Sequence, residues 1–311
     1  MIGERRIEGL AALTLFSEAG GLEAAFVPAA GMVGCSLRHR GEELLGQRGG
    51  LAKYVAERST MGIPLLHPWA NRIARRHFWA AGGEVDLWAH PGLTSLDPHG
   101  LPIHGLLAAA GGWSVERHED TPEGPRLAGN FDFEAHEDLM TVFPFPHQLR
   151  IEARIANQTL TMATTVVASG DLTVPIAFGY HPYFRLPGVE RSAWAVEIPV
   201  RERVALDSEE LPTGELEKAD VPAGPLGSRT FDDEFVAPAD PFVLEGGGRR
   251  IEFSFGQGYP FAQVYAPDDD DVIAFEPMTA PTNALVSGRD LKVLEPGESY
   301  EASFSITVRA T

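Results

Sequence analysis

Two ionisable residues stand in apolar, proline-bounded segments of this sequence. His181 lies in Phe178-Gly-Tyr-His-Pro-Tyr-Phe184, and Glu276 lies in Phe275-Glu-Pro-Met-Thr279. A proline biases the residue before it towards an extended backbone, so we expect both side chains to project rigidly from strand ends. A histidine and a carboxylate that share one cleft can act as general acid and general base. A carboxylate in apolar sequence also needs a chemical reason, because burying an unpaired charge is costly.

Two further segments, Pro64–Ile73 and Pro102–Gly105, carry polar side chains in the same setting. The candidates that they contribute are His67, Asn71, Arg72 and His104. An arginine offers a fork of donors that suits hydroxyl groups. An aromatic ring such as that of Trp69 or Tyr183 is suited to cover the apolar face of a ligand. These residue types predict a site that binds a small polar molecule.

The elements that must position these side chains are strands. Apolar residues alternate with polar ones over 149–155 and again over 160–166, on either side of Asn157-Gln158, which predicts a β-hairpin. A glycine turn at Gly246–Arg250 predicts a second hairpin. Further strand candidates are Gly9–Phe16, Leu22–Val27, Met32–Arg38, Trp113–Arg117, Trp194–Val200, Phe261–Tyr265, Val272–Phe275 and Ser303–Val308. The pattern predicts an all-β antiparallel sandwich or barrel in one domain, 1–311, with Leu211–Arg229 as a long surface loop.

Composition excludes several classes of function. The chain has 311 residues, with 25 Lys and Arg against 44 Asp and Glu, so its formal net charge is −19. Such a charge argues against nucleic-acid or anionic-membrane partners. The single cysteine, Cys35, allows no internal disulfide, which fits a cytoplasmic protein. No phosphate-binding glycine loop or zinc motif is present, and the acidic run Asp268–Asp271 is predicted to be a solvated turn.

In their order and spacing, the four segments resemble the aldose 1-epimerase (galactose mutarotase) family, and within it the broad bacterial branch. The combination of His-Pro-Tyr-Phe, Glu-Pro-Met-Thr and an upstream Asn-Arg-Ile carries the resemblance. Phe26–Gly31 and Leu37–Leu45 near the start, and Leu294–Glu298 near the end, extend it to nearly the whole chain. Arg75-Arg76 stands where the family commonly has glycine.

The resemblance implies a large antiparallel β-sandwich that binds a small-molecule sugar, with no cofactor and no metal. The roles that it implies are the general acid His181, the general base Glu276, a second active-site histidine His104, and the hydroxyl-binding residues Arg72 and Asp232. Asp233 is the alternative to Asp232, because the two are adjacent in Phe231-Asp-Asp-Glu-Phe235. We add Asn71 and His67, which neighbour Arg72, to the predicted substrate-binding residues.

The expected activity is an isomerase reaction on a free aldohexose such as glucose or galactose. A base takes the proton of the C1 hydroxyl while an acid protonates the ring oxygen, and the opened sugar recloses as the other anomer. Ordinary pKa values of ~4.3 and ~6.5 predict an ionised Glu276 and, beside a carboxylate, a protonated His181. The alternatives are a hexose-6-phosphate 1-epimerase, in which Arg75 or Arg76 binds phosphate, and a non-catalytic carbohydrate-binding module. The chain is expected to be a monomer or a homodimer.

Overall fold

Antiparallel β-structure dominates the computed structural model, which describes residues 1–311. Three short α-helices accompany it: α1 (Gly50–Glu57), α2 (Glu137–Val142) and α3 (Ala284–Ser287). None of them has the length and apolar character that crossing a membrane requires.

The strands in the first third of the chain are β1 (Ile2–Ile7), β2 (Leu10–Ser17), β3 (Leu22–Val27), β4 (Val33–His39), β5 (Glu42–Glu43), β6 (Leu65–Leu66), β7 (His77–Ala80), β8 (Gly83–Asp86), β9 (Ser95–Leu96) and β10 (Pro102–Ile103). The middle strands are β11 (Ser114–Thr121), β12 (Gly124–Asp132), β13 (His147–Ala156), β14 (Thr159–Ala168), β15 (Val174–Ile176), β16 (Gly179–Tyr180), β17 (Tyr183–Phe184), β18 (Ala195–Glu197) and β19 (Glu202–Leu206). The last strands are β20 (Pro212–Lys218), β21 (Gly224–Pro225), β22 (Phe231–Val236), β23 (Phe242–Gly246), β24 (Arg249–Phe255), β25 (Phe261–Ala266), β26 (Ile273–Met278), β27 (Lys292–Leu294) and β28 (Ser299–Ala310).

Two large sheets and one smaller sheet hold most of these strands. The nine-stranded sheet has the order β11-β12-β13-β14-β28-β24-β23-β18-β21. The eight-stranded sheet has the order β20-β19-β22-β25-β26-β16-β6, and β17 also pairs with β26. The five-stranded sheet runs β1 to β5 in chain order. The predicted all-β antiparallel architecture is therefore confirmed.

The core lies between the two large sheets. Phe275 of β26 places its ring 5.3 Å from that of Phe242 on β23, across the interface. Tyr180 of β16 and Phe304 of β28 meet in the same way at 5.2 Å. Burial of one such ring contributes about 1.5–3 kcal/mol. One cluster of 65 buried hydrophobic residues runs through the molecule, and the single domain over 1–311 stays a prediction.

The hairpin with the clearest alternation forms as predicted. β13 buries every second residue, β14 does the same, and Asn157-Gln158 makes the turn between them. The prediction of a long surface loop at Leu211–Arg229 is wrong, because this segment contains β20 and β21. β20 is the edge strand of its sheet, and every residue after its first is exposed. A strand that buries neither face has no apolar alternation from which to predict it.

Candidate active site

A cleft of about 590 Å³ opens over the eight-stranded sheet. This volume lies in the range of small-molecule sites, about 300–1,000 Å³. Four of the predicted site residues line it together: Arg72, His104, His181 and Asp232. No group of three or more His, Cys, Asp or Glu side chains in the structure is arranged to hold a metal ion.

The predicted acid and base are in direct contact. His181 Nε2 lies 3.1 Å from Glu276 Oε1, and the two side chains are only 5% and 2% exposed. Tyr183 stacks on His181 with 4.0 Å between ring centroids, which fixes the plane of the imidazole. His181 falls in the break between β16 and β17, as expected of a strand end. The same prediction is wrong for Glu276, which lies inside β26, because a strand interior supplies the extended backbone that Pro277 requires equally well.

Burial sets the protonation of this pair. It raises the pKa of Glu276 well above the usual 4.5, and the nearby Asp232 carboxylate raises it further. It lowers the pKa of His181 well below 6.5, and His104 and Arg48 lower it further. Both shifts run against the expectation of an ionised Glu276 and a protonated His181, because each favours the uncharged form of its side chain. In its uncharged form the pair holds one proton between Oε1 and Nε2.

His104 reaches the cleft from an unusual backbone turn. Its φ is +64°, and Gly105 follows at φ +73°. A Cβ on Gly105 would lie 2.2 Å from the carbonyl oxygen of His67, so only glycine fits there. The His104 N–H donates to the carbonyl of Asn71 at 3.0 Å, which ties the two loops together. The imidazole stands edge-on to His181, with centroids 5.3 Å apart, and burial lowers the pKa of His104 to about 3.

Arg72 is held by four side chains. Its Nε donates to Asp97 Oδ2 at 2.8 Å, and its Nη1 donates to Asn71 Oδ1 at 3.1 Å. Its Nη2 donates to Asp232 Oδ2 at 3.3 Å and also contacts a carboxylate oxygen of Glu210. Asn71 therefore supports Arg72. These ion pairs raise the pKa of the Arg72 guanidinium against the effect of its burial.

The two adjacent aspartates point to opposite faces of β22, as successive strand residues do. Asp232 accepts from Arg72 and, at 2.5 Å, from Gln263 Nε2. Asp233 instead accepts from Arg203 Nη1 at 3.3 Å. The structure thus places Asp232, and not Asp233, in the cleft.

Several candidates lie elsewhere. His67 turns to His147, with 2.7 Å between their Nε2 atoms, and is not among the residues that line the cleft. Trp69 is buried in the core at 1% exposure, whereas Tyr183 does line the cleft. Arg75 is exposed, and Arg76 stacks over an exposed tryptophan ring. Neither arginine lines the cleft.

Sequence reasoning missed Asp97, His99, Glu210 and Arg48, all of which line the cleft. Asp97 precedes Pro98 just as Glu276 precedes Pro277, so the same signal was present for it. The others had no such signal. Arg48 forms an ion pair at 3.4 Å with Asp270, a member of the acidic run that is otherwise a turn between β25 and β26.

A second buried carboxyl stands near the site. Glu234 of β22 is paired across the sheet with Gln263, which is paired in turn with Glu276. Its two oxygens share only the Thr282 N–H, at 3.2 Å each. Burial raises the pKa of Glu234 from its usual 4.5 to about 7.

This carboxyl should make stability depend on pH. A raised carboxyl pKa gives stability that is complete below pH 4.5 and is lost as pH rises through about 7. Glu234→Gln removes the titrating proton and keeps the shape. We expect the variant to gain about 2–3 kcal/mol in free energy of unfolding relative to the wild type between pH 5 and pH 8. Urea unfolding of both proteins at pH 5 and pH 8 measures this gain. The prediction would be contradicted if the free energies of unfolding of variant and wild type differed by the same amount at both pH values.

The fold is shared with solved structures. A galactose mutarotase-like protein from Clostridium acetobutylicum superimposes with a TM-score of 0.85 at 20% identity, covering 100% of this chain and 99% of that one. The Slr1438 protein from Synechocystis sp. PCC 6803 gives 0.79 at 22% identity, covering 99% and 98%. A galactose 1-epimerase from Lactobacillus acidophilus NCFM gives 0.77 at 16% identity, covering 100% and 98%. The predicted mutarotase-like sandwich is thereby confirmed.

Sequence comparison identifies a family in addition to the shared fold. The protein YihR of Escherichia coli strain K12 is 25% identical over 264 residues, which are 78% of this chain and 80% of that protein. A family model described as aldose 1-epimerase matches residues 30–307. Because the match spans most of the sequence, the chain belongs to the aldose 1-epimerase family.

Proposed function

We propose that this protein is an aldose 1-epimerase that interconverts the α and β anomers of a free aldohexose such as glucose or galactose. The observation that carries the proposal is the 3.1 Å contact between His181 Nε2 and Glu276 Oε1 beside the cleft. The anomeric hydroxyl oxygen and the ring oxygen are both bonded to C1 and are therefore close neighbours. A proton acceptor and a proton donor in direct contact match that pair of atoms.

The reaction needs both members of the pair. Transfer of the shared proton from Glu276 to His181 makes a carboxylate and an imidazolium without any change in total charge. The carboxylate takes the C1 hydroxyl proton while the imidazolium protonates the ring oxygen, so the C1–O5 bond breaks and an aldehyde forms. Rotation about C1–C2 and reclosure with the roles reversed give the other anomer. Arg72, Asp232 and the neutral His104 are placed to hold the hydroxyl groups.

Polarimetry of freshly dissolved α-glucose and α-galactose tests the activity. We expect the protein to accelerate the approach to anomeric equilibrium with no added cofactor and with a chelator present. Glucose 6-phosphate is assayed in parallel, and we expect no preference for it, because Arg75 and Arg76 lie outside the cleft. Acceleration of anomer exchange for glucose 6-phosphate alone would favour a hexose-6-phosphate 1-epimerase instead. Sugar binding without acceleration would favour a binding module.

The cellular compartment of the protein can be proposed from its cysteine. Cys35 is a buried free thiol, which supports a reducing compartment such as the cytoplasm.

A further inference from the structure

Glu210 lines the cleft, and the reaction described above does not use it. It sits in the loop between β19 and β20, at the edge of the eight-stranded sheet. Its backbone has a φ of +59°, which is uncommon for a residue other than glycine. The Asp207 side chain supports this turn, because it accepts the N–H groups of Glu209 at 2.9 Å and of Leu211 at 3.1 Å. The loop is therefore built to hold Glu210 over the cleft.

The donors of Arg72 show which of its partners face a ligand. An arginine has five N–H donors. Asp97 and Asn71 each accept one of these hydrogen bonds, and both side chains are buried. They therefore hold the guanidinium in a fixed position. Asp232 and Glu210 share Nη2, and their side chains are 34% and 35% exposed. Glu210 therefore shares both the exposure and the contact with Nη2 of the aspartate predicted to bind hydroxyl groups.

The charge at this end of the cleft is unbalanced. Three carboxylates, those of Asp97, Asp232 and Glu210, surround the single guanidinium of Arg72. A sugar hydroxyl can donate to a carboxylate, and a hydrogen bond to a charged acceptor is stronger than one to a neutral acceptor. A phosphate or carboxylate substituent on the sugar would meet like charge at this place.

We propose that Glu210 is a second substrate-binding carboxylate, which accepts a sugar hydroxyl alongside Asp232 and excludes sugars that carry a negative group there. The proposal rests on the proposed function for the identity of the ligand as an aldohexose. It adds the residue that selects among aldohexoses by charge.

Calorimetric titration with glucose and with glucose 6-phosphate tests the proposal, using Glu210→Ala and the matched control Glu209→Ala. Glu209 is the exposed neighbour on the same loop, and its side chain makes no contact with Arg72. We expect Glu210→Ala to weaken glucose binding about 10-fold, which corresponds to about 1.4 kcal/mol. We also expect it to lower the ratio of the phosphate Kd to the glucose Kd by about 10-fold, because the repelling charge is gone. Glu209→Ala should match the wild type in both.

The proposal would be overturned if Glu210→Ala and Glu209→Ala had the same glucose Kd, or the same ratio of phosphate Kd to glucose Kd. Tighter glucose binding by Glu210→Ala would overturn it too, because Glu210 would then merely compete with the sugar for Arg72. Failure of wild-type protein to bind glucose would also overturn it. Binding does not require turnover, so the two proposals can fail separately. If glucose binding depends on Glu210 but the protein does not exchange anomers, only the epimerase activity is refuted. If the protein exchanges anomers but Glu210→Ala and Glu209→Ala bind both sugars equally well, only the role of Glu210 is refuted.

Discussion

Replacing Glu276 with glutamine is expected to lower kcat for anomer exchange by at least ~100-fold, the lower end of what a positioned general base contributes. Glutamine keeps the size of the side chain but cannot take the proton of the C1 hydroxyl. KM should change much less, because the proposed hydroxyl contacts of Arg72 and Asp232 remain. Polarimetric rates over a range of sugar concentrations separate the two constants.

Two comparisons make this result specific. Glu234→Gln is the same chemical change at a buried carboxyl outside the cleft, and it should alter kcat by only a few-fold. His181→Asn should lose as much activity as Glu276→Gln, and the double variant should be little worse than either, because the two groups act as one unit. A near-normal kcat in Glu276→Gln would sink the mechanism and leave the binding module.

The pH profile of the wild type should be bell-shaped, with its limbs assigned by the burial of the pair. The proposed mechanism requires that Glu276 and His181 together carry one shared proton. The acidic limb reports a second proton entering at His181, so it should lie below the usual pKa of 6.5. The alkaline limb reports loss of the shared proton from Glu276, so it should lie well above 4.5. The residual activity of Glu276→Gln should lose the acidic limb, because protonation of His181 then only supplies the general acid and no base remains to be neutralised.

Replacing Arg72 with alanine is expected to damage both binding and stability. The variant loses the proposed hydrogen bond to a sugar hydroxyl and the contact that aligns Asp232, and hydrogen bonds to charged groups contribute about 1.5–3 kcal/mol each. We therefore expect kcat/KM to fall by ~100-fold, with KM raised, in contrast to Glu276→Gln. The Asp97 side chain, only 1% exposed, would be left without its counter-ion. Breaking such a buried pair costs about 3–5 kcal/mol of stability, which urea unfolding measures.

Arg203→Ala is the matched control for this change. Arg203 also bridges two carboxylates, those of Asp233 and Glu217, but on the sheet face opposite the cleft and at 47% exposure. Exposed ion pairs contribute about 0–1 kcal/mol, so stability and KM should barely change. A normal KM in Arg72→Ala would remove Arg72 from the binding site.

The sequence predicted strands well where they bury apolar residues. Leu22–Val27 is β3 to the residue, and the β13–β14 hairpin follows its apolar pattern. β20 could not be predicted, because neither of its faces is buried. The interior position of Glu276 was hidden for another reason: the proline that marks it is compatible with both the end and the middle of a strand.

The site shows the same division. Four residues that the motifs marked line one cleft, namely Arg72, His104, His181 and Asp232, whereas His67 turns to His147. Glu210 carries no motif, because its place over Arg72 depends on the Asp207 turn and on the packing of a distant loop. The pKa shifts of the acid–base pair also lay beyond the sequence, since they come from the burial of Glu276 and His181, which raises the pKa of the carboxyl and lowers that of the imidazole.

The strand order of the nine-stranded sheet has a consequence for biosynthesis. β28 lies between β14 and β24, and the strands on its two sides have no direct pairing with each other. Ribosomes make both flanking groups before β28, so β14 and β24 each wait with an unpaired edge, and unpaired edges invite intermolecular association. Joining the halves requires contacts between residues far apart in sequence, which form slowly. The interval between synthesis of β24 and synthesis of β28 is therefore when the nascent chain is most prone to aggregate.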